Sequence, residues 1–234
     1  GVRLQEIVGD PLGPLTNRAL NGLYSPGSTF KLITGAAGLV AGVVESTDRL
    51  MCGATWAGVD PPRANWEESR GLLLISEGLM LSCNPVFYEI GLRLYNNTDG
   101  ALSEMAREFG FGSPTGLAAL RDESGLVPDA EWKSEATGEP WYPGDEVNIS
   151  IGQGALLVTP LQLANAYSTF VTGQLRSPLL VVEEEVAIAG TLQLEPADRA
   201  ELQRGLELVT GPDGTAHAAF WSLGYRDFGG KSGT

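Results

Sequence analysis

The 234-residue sequence has a single histidine, His217, and two cysteines, Cys52 and Cys83. One histidine removes most metal-binding constellations, and neither a metal nor another cofactor is expected. It also weighs against a serine–histidine–aspartate triad, so an acyl-transfer serine in this chain would look to lysine for its base. Two cysteines make no disulfide framework; two buried thiols are the default expectation, with one bridge as the alternative. Basic residues are scarce, 15 Lys and Arg against 29 Asp and Glu, for a formal net charge of −14. That balance argues against nucleic acid as a partner, since phosphate binding needs clustered cations, and against a basic membrane-surface patch. Long apolar runs are also missing. Stretches such as Leu72-Leu73-Leu74-Ile75 are far too short to span a bilayer, and no signal peptide is visible. A membrane anchor, if the parent protein has one, lies elsewhere in it.

What is present suits a globular, loop-rich chain. Apolar residues make up 43%, with 31 Gly and 14 Pro, and the length suits one large domain or two small ones. Residues 2–8 read as a short strand, although the alternation is imperfect. Pro26-Gly27 breaks the chain ahead of an apolar helix over 32–44. Residues 45–71 read as a long loop, followed by helices starting near Ser76, at 86–95 and at about 98–109. Residues 111–147 read as another irregular stretch. Thr159-Pro160 looks like an N-cap followed by proline at the first helical position. Residues 179–186 suit a strand, Asp198 a helix cap, and 224–234 the approach to a further strand.

Chemistry concentrates first at Tyr24-Ser25-Pro26-Gly27-Ser28-Thr29-Phe30-Lys31. Ser28 would sit where a helix begins, close to free backbone N–H groups and the positive end of the helix dipole. Lys31 lies three residues on, on the same face. A serine hydroxyl becomes a nucleophile when a base takes its proton. Lysine is such a base only when desolvation or a neighbouring cation lowers its pKa. Alone, such a pair is far more often an N-cap and a solvated lysine. Further along stand Ser82-Cys83-Asn84, a hydroxyl and a carboxamide two residues apart, and Lys231-Ser232-Gly233-Thr234, a cation with two hydroxyls and a glycine that admits close backbone approach. Three such elements in this order match the Ser-x-x-Lys, Ser-x-Asn and Lys-Thr-Gly signature of penicillin-recognising serine enzymes.

The sequence resembles the transpeptidase domain of penicillin-binding proteins well beyond those motifs. Asn17-Arg18-Ala19 leading into the Ser28 octapeptide, Ser82-Cys83-Asn84-Pro85-Val86-Phe87-Tyr88, and Ile151-Gly152-Gln153-Gly154 through Thr159-Pro160-Leu161-Gln162-Leu163-Ala164 are all similar to it. The run Trp141-Tyr142-Pro143-Gly144-Asp145 looks most like the monofunctional class B branch.

The resemblance implies an α+β, serine β-lactamase/transpeptidase-like fold over residues 1–234. It would be mainly the helical part, with an incomplete antiparallel sheet, because the family pattern continues beyond the third motif into further strands and a C-terminal helix. It implies a D,D-transpeptidase acting on D-Ala-D-Ala peptide stems of peptidoglycan and acylated by β-lactams, outside the cytoplasmic membrane, with other cell-wall synthesis proteins as partners of the parent protein. Ser28 would be the nucleophile and Lys31 its base. Ser82 would relay a proton, Asn84 would hold Lys31 and the substrate amide, and Lys231 would support the relay electrostatically. Ser232, Gly233 and Thr234 would bind the substrate carboxylate, and the backbone N–H groups of Ser28 and Thr234 would form the oxyanion hole. Ser232 stands where threonine is commoner, and it retains the hydroxyl. A serine β-lactamase and a β-lactam sensor are the alternatives. The first lacks its deacylating Glu-x-x-Leu-Asn between Leu94 and Trp132.

Overall fold

The computed structural model describes residues 2–117, 120–181, 185–220 and 228–233. Thr234, residues 221–227 and the middle of the 179–186 segment therefore lie outside the described residues. Helices run α1 (Val2–Val8), α2 (Arg18–Asn21), α3 (Lys31–Val40), α4 (Ile75–Met80), α5 (Asn84–Asn97), α6 (Ala101–Glu108), α7 (Ala130–Thr137), α8 (Pro143–Ile149), α9 (Pro160–Thr172), α10 (Pro196–Val209) and α11 (His217–Phe220). Strands are β1 (Leu50–Cys52), β2 (Thr55–Trp56), β3 (Arg63–Ala64), β4 (Gly71–Leu73), β5 (Gln174–Arg176) and β6 (Ile188–Thr191). The strands pair antiparallel as β1–β4, β2–β3 and β5–β6.

The chain divides into two units. One comprises residues 1–24, 108–126 and 157–192. It is built on α9, whose start follows from local chemistry. Thr159 accepts from the Gln162 N–H at 3.1 Å, and the Gln162 side chain accepts from the Thr159 N–H at 2.9 Å. This reciprocal box satisfies donors that the first turn leaves open. The Gln162 amide then donates to the Ser113 and Ser124 carbonyls, each at 2.8 Å, fixing the loop across the helix start.

The second unit comprises residues 25–107, 127–156 and 193–234. Its centre is α3, where Leu32, Ile33, Ala36 and Ala37 have almost no exposed surface. α3 packs on α5 and α10, α4 on α10, and α5 on α8. Small residues set these distances: a Cβ on Gly205 would meet Leu79 at 2.7 Å, and one on Gly35 would meet Leu202 at 2.8 Å. The α4–α10 contact is also polar, with Glu201 accepting from the Ser76 N–H at 2.9 Å.

Several sequence expectations are corrected. Residues 2–8 form α1 and not a strand; Leu4, Ile7 and Val8 recur at helical spacing. Residues 45–71 hold β1, β2 and β3, so the long loop is a pair of hairpin ladders. The 111–147 stretch contains α7 and α8. Asp129 caps α7 by accepting from the Trp132 N–H, and Gly138 at φ 75° ends it. The helix expected over 32–44 stops at Val40, just ahead of Gly42 at φ 66°. Ser76 lies within α4 and does not cap it, and α10 begins at Pro196, ahead of Asp198. A strand beyond the expected ones, β6, lies at Ile188–Thr191.

The cysteines are not free. Cys52 and Cys83 form a disulfide across 31 residues of chain, with both side chains fully buried. Closing a loop of that size stabilises a fold by about 3–4 kcal/mol in the chain-entropy account. Sequence spacing could not show that β1 carries Cys52 alongside the start of α5.

Candidate active site

All described site residues belong to the second unit. Gly27, at φ 55°, starts a single 3-10 turn, Gly27–Phe30, which carries Ser28 half-buried directly ahead of α3. The Lys31 N–H donates to the Ser28 carbonyl, and the Thr29 hydroxyl donates to the Pro26 carbonyl at 2.6 Å, so the Ser28 turn is held at both ends. Gly152 closes the other side: its carbonyl accepts from the Gly27 N–H at 2.9 Å.

Lys31 enters the core with no exposed surface. Its Nζ donates to the Ser82 carbonyl at 2.6 Å, to Asn84 Oδ1 at 2.6 Å and to Ser82 Oγ at 3.2 Å. Burial lowers its pKa well below the usual lysine range, and the nearby Lys231 lowers it further. Lys231 Nζ reaches the same Ser82 Oγ at 2.8 Å and the Ser232 carbonyl at 3.0 Å, and burial brings its pKa down to about 7. Ser82 Oγ thus accepts from two amines and keeps its own proton to donate. Ser82 itself has φ 53°, which only a tightly held non-glycine residue adopts.

The third motif runs back along α10 towards the nucleophile. Gly230 N–H donates to the Leu206 carbonyl at 3.0 Å. A Cβ on Gly233 would lie 3.0 Å from Thr29 Cγ2, so this segment passes directly beside the Ser28 turn. Ser232 Oγ pairs with Thr215 Oγ1 at 2.6 Å.

Of the sequence-expected residues, Lys31, Ser82, Asn84, Lys231 and Ser232 join one hydrogen-bonded cluster, with Ser28 and Gly233 at its edge. Among the described residues, the Ser28 hydroxyl makes no hydrogen bond within that network. Thr234 lies outside the described residues. Three residues were missed. Thr215 reads as a plain turn residue in sequence, and nothing there marks it. Asn65 and Trp66 fall in the supposed loop, where only the tryptophan signalled an anchor. Trp56 packs against Tyr88, and Trp141 donates to the buried Glu146, whose carboxyl burial pushes up to about 7. Among the described residues no group of three or more acidic, histidine or cysteine side chains could hold a metal ion.

A buried lysine of lowered pKa, three residues after a half-buried serine at a helix start, suits acyl transfer without histidine. Comparison with known proteins points the same way. The family model described as "Penicillin binding protein transpeptidase domain" matches residues 3–234. The peptidoglycan D,D-transpeptidase MrdA of Escherichia coli K12 is 30% identical over 243 residues, covering 97% of this chain and 38% of that protein. A Helicobacter pylori complex between penicillin-binding protein PBP2 and MreC matches with a TM-score of 0.83 and 27% identity, over 93% of this chain and 41% of that one. The imipenem acyl-enzyme complex of penicillin-binding protein A from Mycobacterium tuberculosis matches with a TM-score of 0.72 and 27% identity, over 88% and 48%. The chain therefore spans about two fifths of the length of the curated relative it matches.

Proposed function

The chain belongs to the penicillin-binding protein transpeptidase family, and from that premise we propose that it supplies the acyl-transfer site of a peptidoglycan D,D-transpeptidase. Its fold is the α+β serine β-lactamase/transpeptidase-like fold. We read its two units as parts of one such domain, a reading supported by a family match that spans both.

The observation that carries the proposal is Lys31, fully buried with its Nζ on Ser82 and Asn84 while Lys231 shares the Ser82 hydroxyl. In the first half-reaction Lys31 takes the Ser28 proton, and Ser28 Oγ attacks the penultimate D-Ala carbonyl. The amide C–N bond breaks, and the departing D-Ala amine receives a proton through Ser82. In the second, an amine of another stem peptide attacks the ester carbonyl. The crosslinking amide forms and the Ser28 hydroxyl is restored. Lys231, Ser232 and Thr234 bind the substrate carboxylate. Backbone donors at Ser28 and Thr234 would stabilise the oxyanion, a contribution of about 3–4 kcal/mol per donor in acyl-transfer enzymes. β-Lactams enter by the same first step and stay on Ser28.

We propose that the whole protein works on the outer side of the cytoplasmic membrane, with cell-wall synthesis proteins as companions. The disulfide supports an oxidising compartment. Among the described residues no helix is long and apolar enough to cross a membrane.

The test is to incubate the full-length protein with a fluorescent penicillin, digest it and locate the adduct by mass spectrometry. A stable adduct on Ser28 is expected; an adduct on another residue, or none, refutes the mechanism. Recovery within seconds with hydrolysed drug would instead identify a β-lactamase.

The paired lysines also predict a pH profile. Lys31 must be neutral to act as base, and burial beside Lys231 lowers its pKa in that direction. Raising the pH through about 7 then discharges Lys231 and weakens carboxylate attraction. Acylation kcat/KM of the free enzyme is expected to be bell-shaped, with its alkaline limb set by Lys231. Stopped-flow acylation across pH 5 to 10 reads it, and a rate still climbing at the alkaline end would remove Lys231 from this role.

A further inference from the structure

The second motif is held from outside the three motifs. Trp66 Nε1 donates to the Ser82 carbonyl at 3.1 Å, the same oxygen that Lys31 uses. Asn65 Oδ1 accepts from the Asn84 N–H at 3.3 Å, one of the donors that the start of α5 leaves open. The Asn65 side-chain amide lies over the disulfide, with Nδ2 at 3.6 Å from Cys52 Sγ and 3.9 Å from Cys83 Sγ. Asn65 is itself fixed, its N–H donating to the Ala54 carbonyl at 2.8 Å. The middle residue of the second motif is thus covalently tied to β1, and the residues on both sides of it are hydrogen-bonded to the two residues that follow β3.

These contacts bear on position more than on core packing. The Trp66 side chain is 59% exposed, so its ring buries little, yet its one polar atom is aimed at a site carbonyl. Ser82 sits at φ 53°, a conformation that relaxes unless its neighbours hold it. Both sulfurs are fully buried, which makes the bridge a permanent fixture shielded from reductants in the folded protein.

We propose that Asn65, Trp66 and the Cys52–Cys83 bridge form a clamp that positions Ser82 and Asn84 for proton transfer with Lys31. The proposal rests on the acyl-transfer reading above. With the clamp intact, the Ser82 carbonyl and Asn84 Oδ1 converge on Lys31 Nζ and keep it dry. With the clamp released, the 82–84 turn relaxes, water reaches Lys31, and its pKa rises towards the ordinary lysine range.

The test uses the full-length protein with Trp66→Phe, Asn65→Leu and the double change Cys52→Ala/Cys83→Ala. Penicillin acylation is followed against pH, Lys31 ionisation by side-chain NMR, and thermal unfolding in parallel. Trp66→Phe and Asn65→Leu are expected to slow acylation about tenfold per folded molecule, and the double variant about a hundredfold, from small displacements of reacting groups. In each, the acid limb of the profile and the Lys31 titration should move to higher pH. A purely structural anchor would lower the unfolding temperature and leave both in place. Wild-type rates and an unmoved Lys31 titration in Trp66→Phe and Asn65→Leu overturn the clamp. If wild-type protein takes no label on Ser28, the acyl-transfer reading falls, and the Lys31 titration alone then supports or overturns the clamp.

Discussion

Lys31→Ala is expected to cut β-lactam acylation of Ser28 by at least about a thousandfold while leaving a folded protein. A positioned base is worth about 10²–10⁴ in rate. The sequence has a single histidine, His217, which begins α11. The folding half of the claim follows from what the lysine leaves behind. The Ser82 carbonyl keeps its bond from Trp66, and Ser82 Oγ keeps its bond from Lys231. Only Asn84 Oδ1 loses a partner shown here, at a cost of about 1–3 kcal/mol, offset in part by removing an amine that burial disfavours. Single-turnover acylation beside circular dichroism checks both halves. Normal acylation in a folded Lys31→Ala protein would remove Lys31 as base.

The candidate cluster was legible because its motifs are local: Ser28 and Lys31 share one turn, and Ser82 with Asn84 straddle one helix start. Helix α9 was legible for the same reason, its cap residues Thr159 and Gln162 lying three apart. Non-local pairing was not legible. β1 meets β4 through Cys52 opposite Gly71, across a segment whose prolines and tryptophans read as loop. The disulfide is likewise non-local, as is the bond from the Asn84 N–H to Asn65 Oδ1. α7 shows a third kind of miss. Its acidic, polar sequence has no apolar stripe to mark a helix, and none of its residues is buried, yet Asp129 and Gly138 bracket it. Caps, more than burial, define that element.

Gly152 is where packing and catalysis meet, and Gly152→Ala is expected to damage both. The residue has φ 72°, so any side chain costs about 1–2 kcal/mol in backbone strain alone. Its neighbour makes matters worse. A Cβ there would lie 2.1 Å from the Gly27 carbonyl oxygen and 2.7 Å from the Gly27 nitrogen, both backbone atoms of the nucleophile turn. No rotamer change relieves such a clash; either Gly27 or Gly152 has to move, and the bond from Gly27 N–H to the Gly152 carbonyl goes with it. We expect a total loss of about 3–5 kcal/mol in unfolding free energy, at the upper end for single substitutions. In protein that still folds, acylation should fall at least about tenfold, because the displaced turn carries Ser28. Gly154→Ala is the internal control. Its φ of 76° imposes the same strain, but its nearest neighbour is the Asn148 side chain at 3.4 Å, an ordinary contact. That variant should lose only about 1–2 kcal/mol and acylate normally. Urea unfolding with acylation rates on the two variants separates the contributions. If Gly152→Ala behaves like Gly154→Ala, the close approach of 152 to the nucleophile turn is not what holds Ser28 in place.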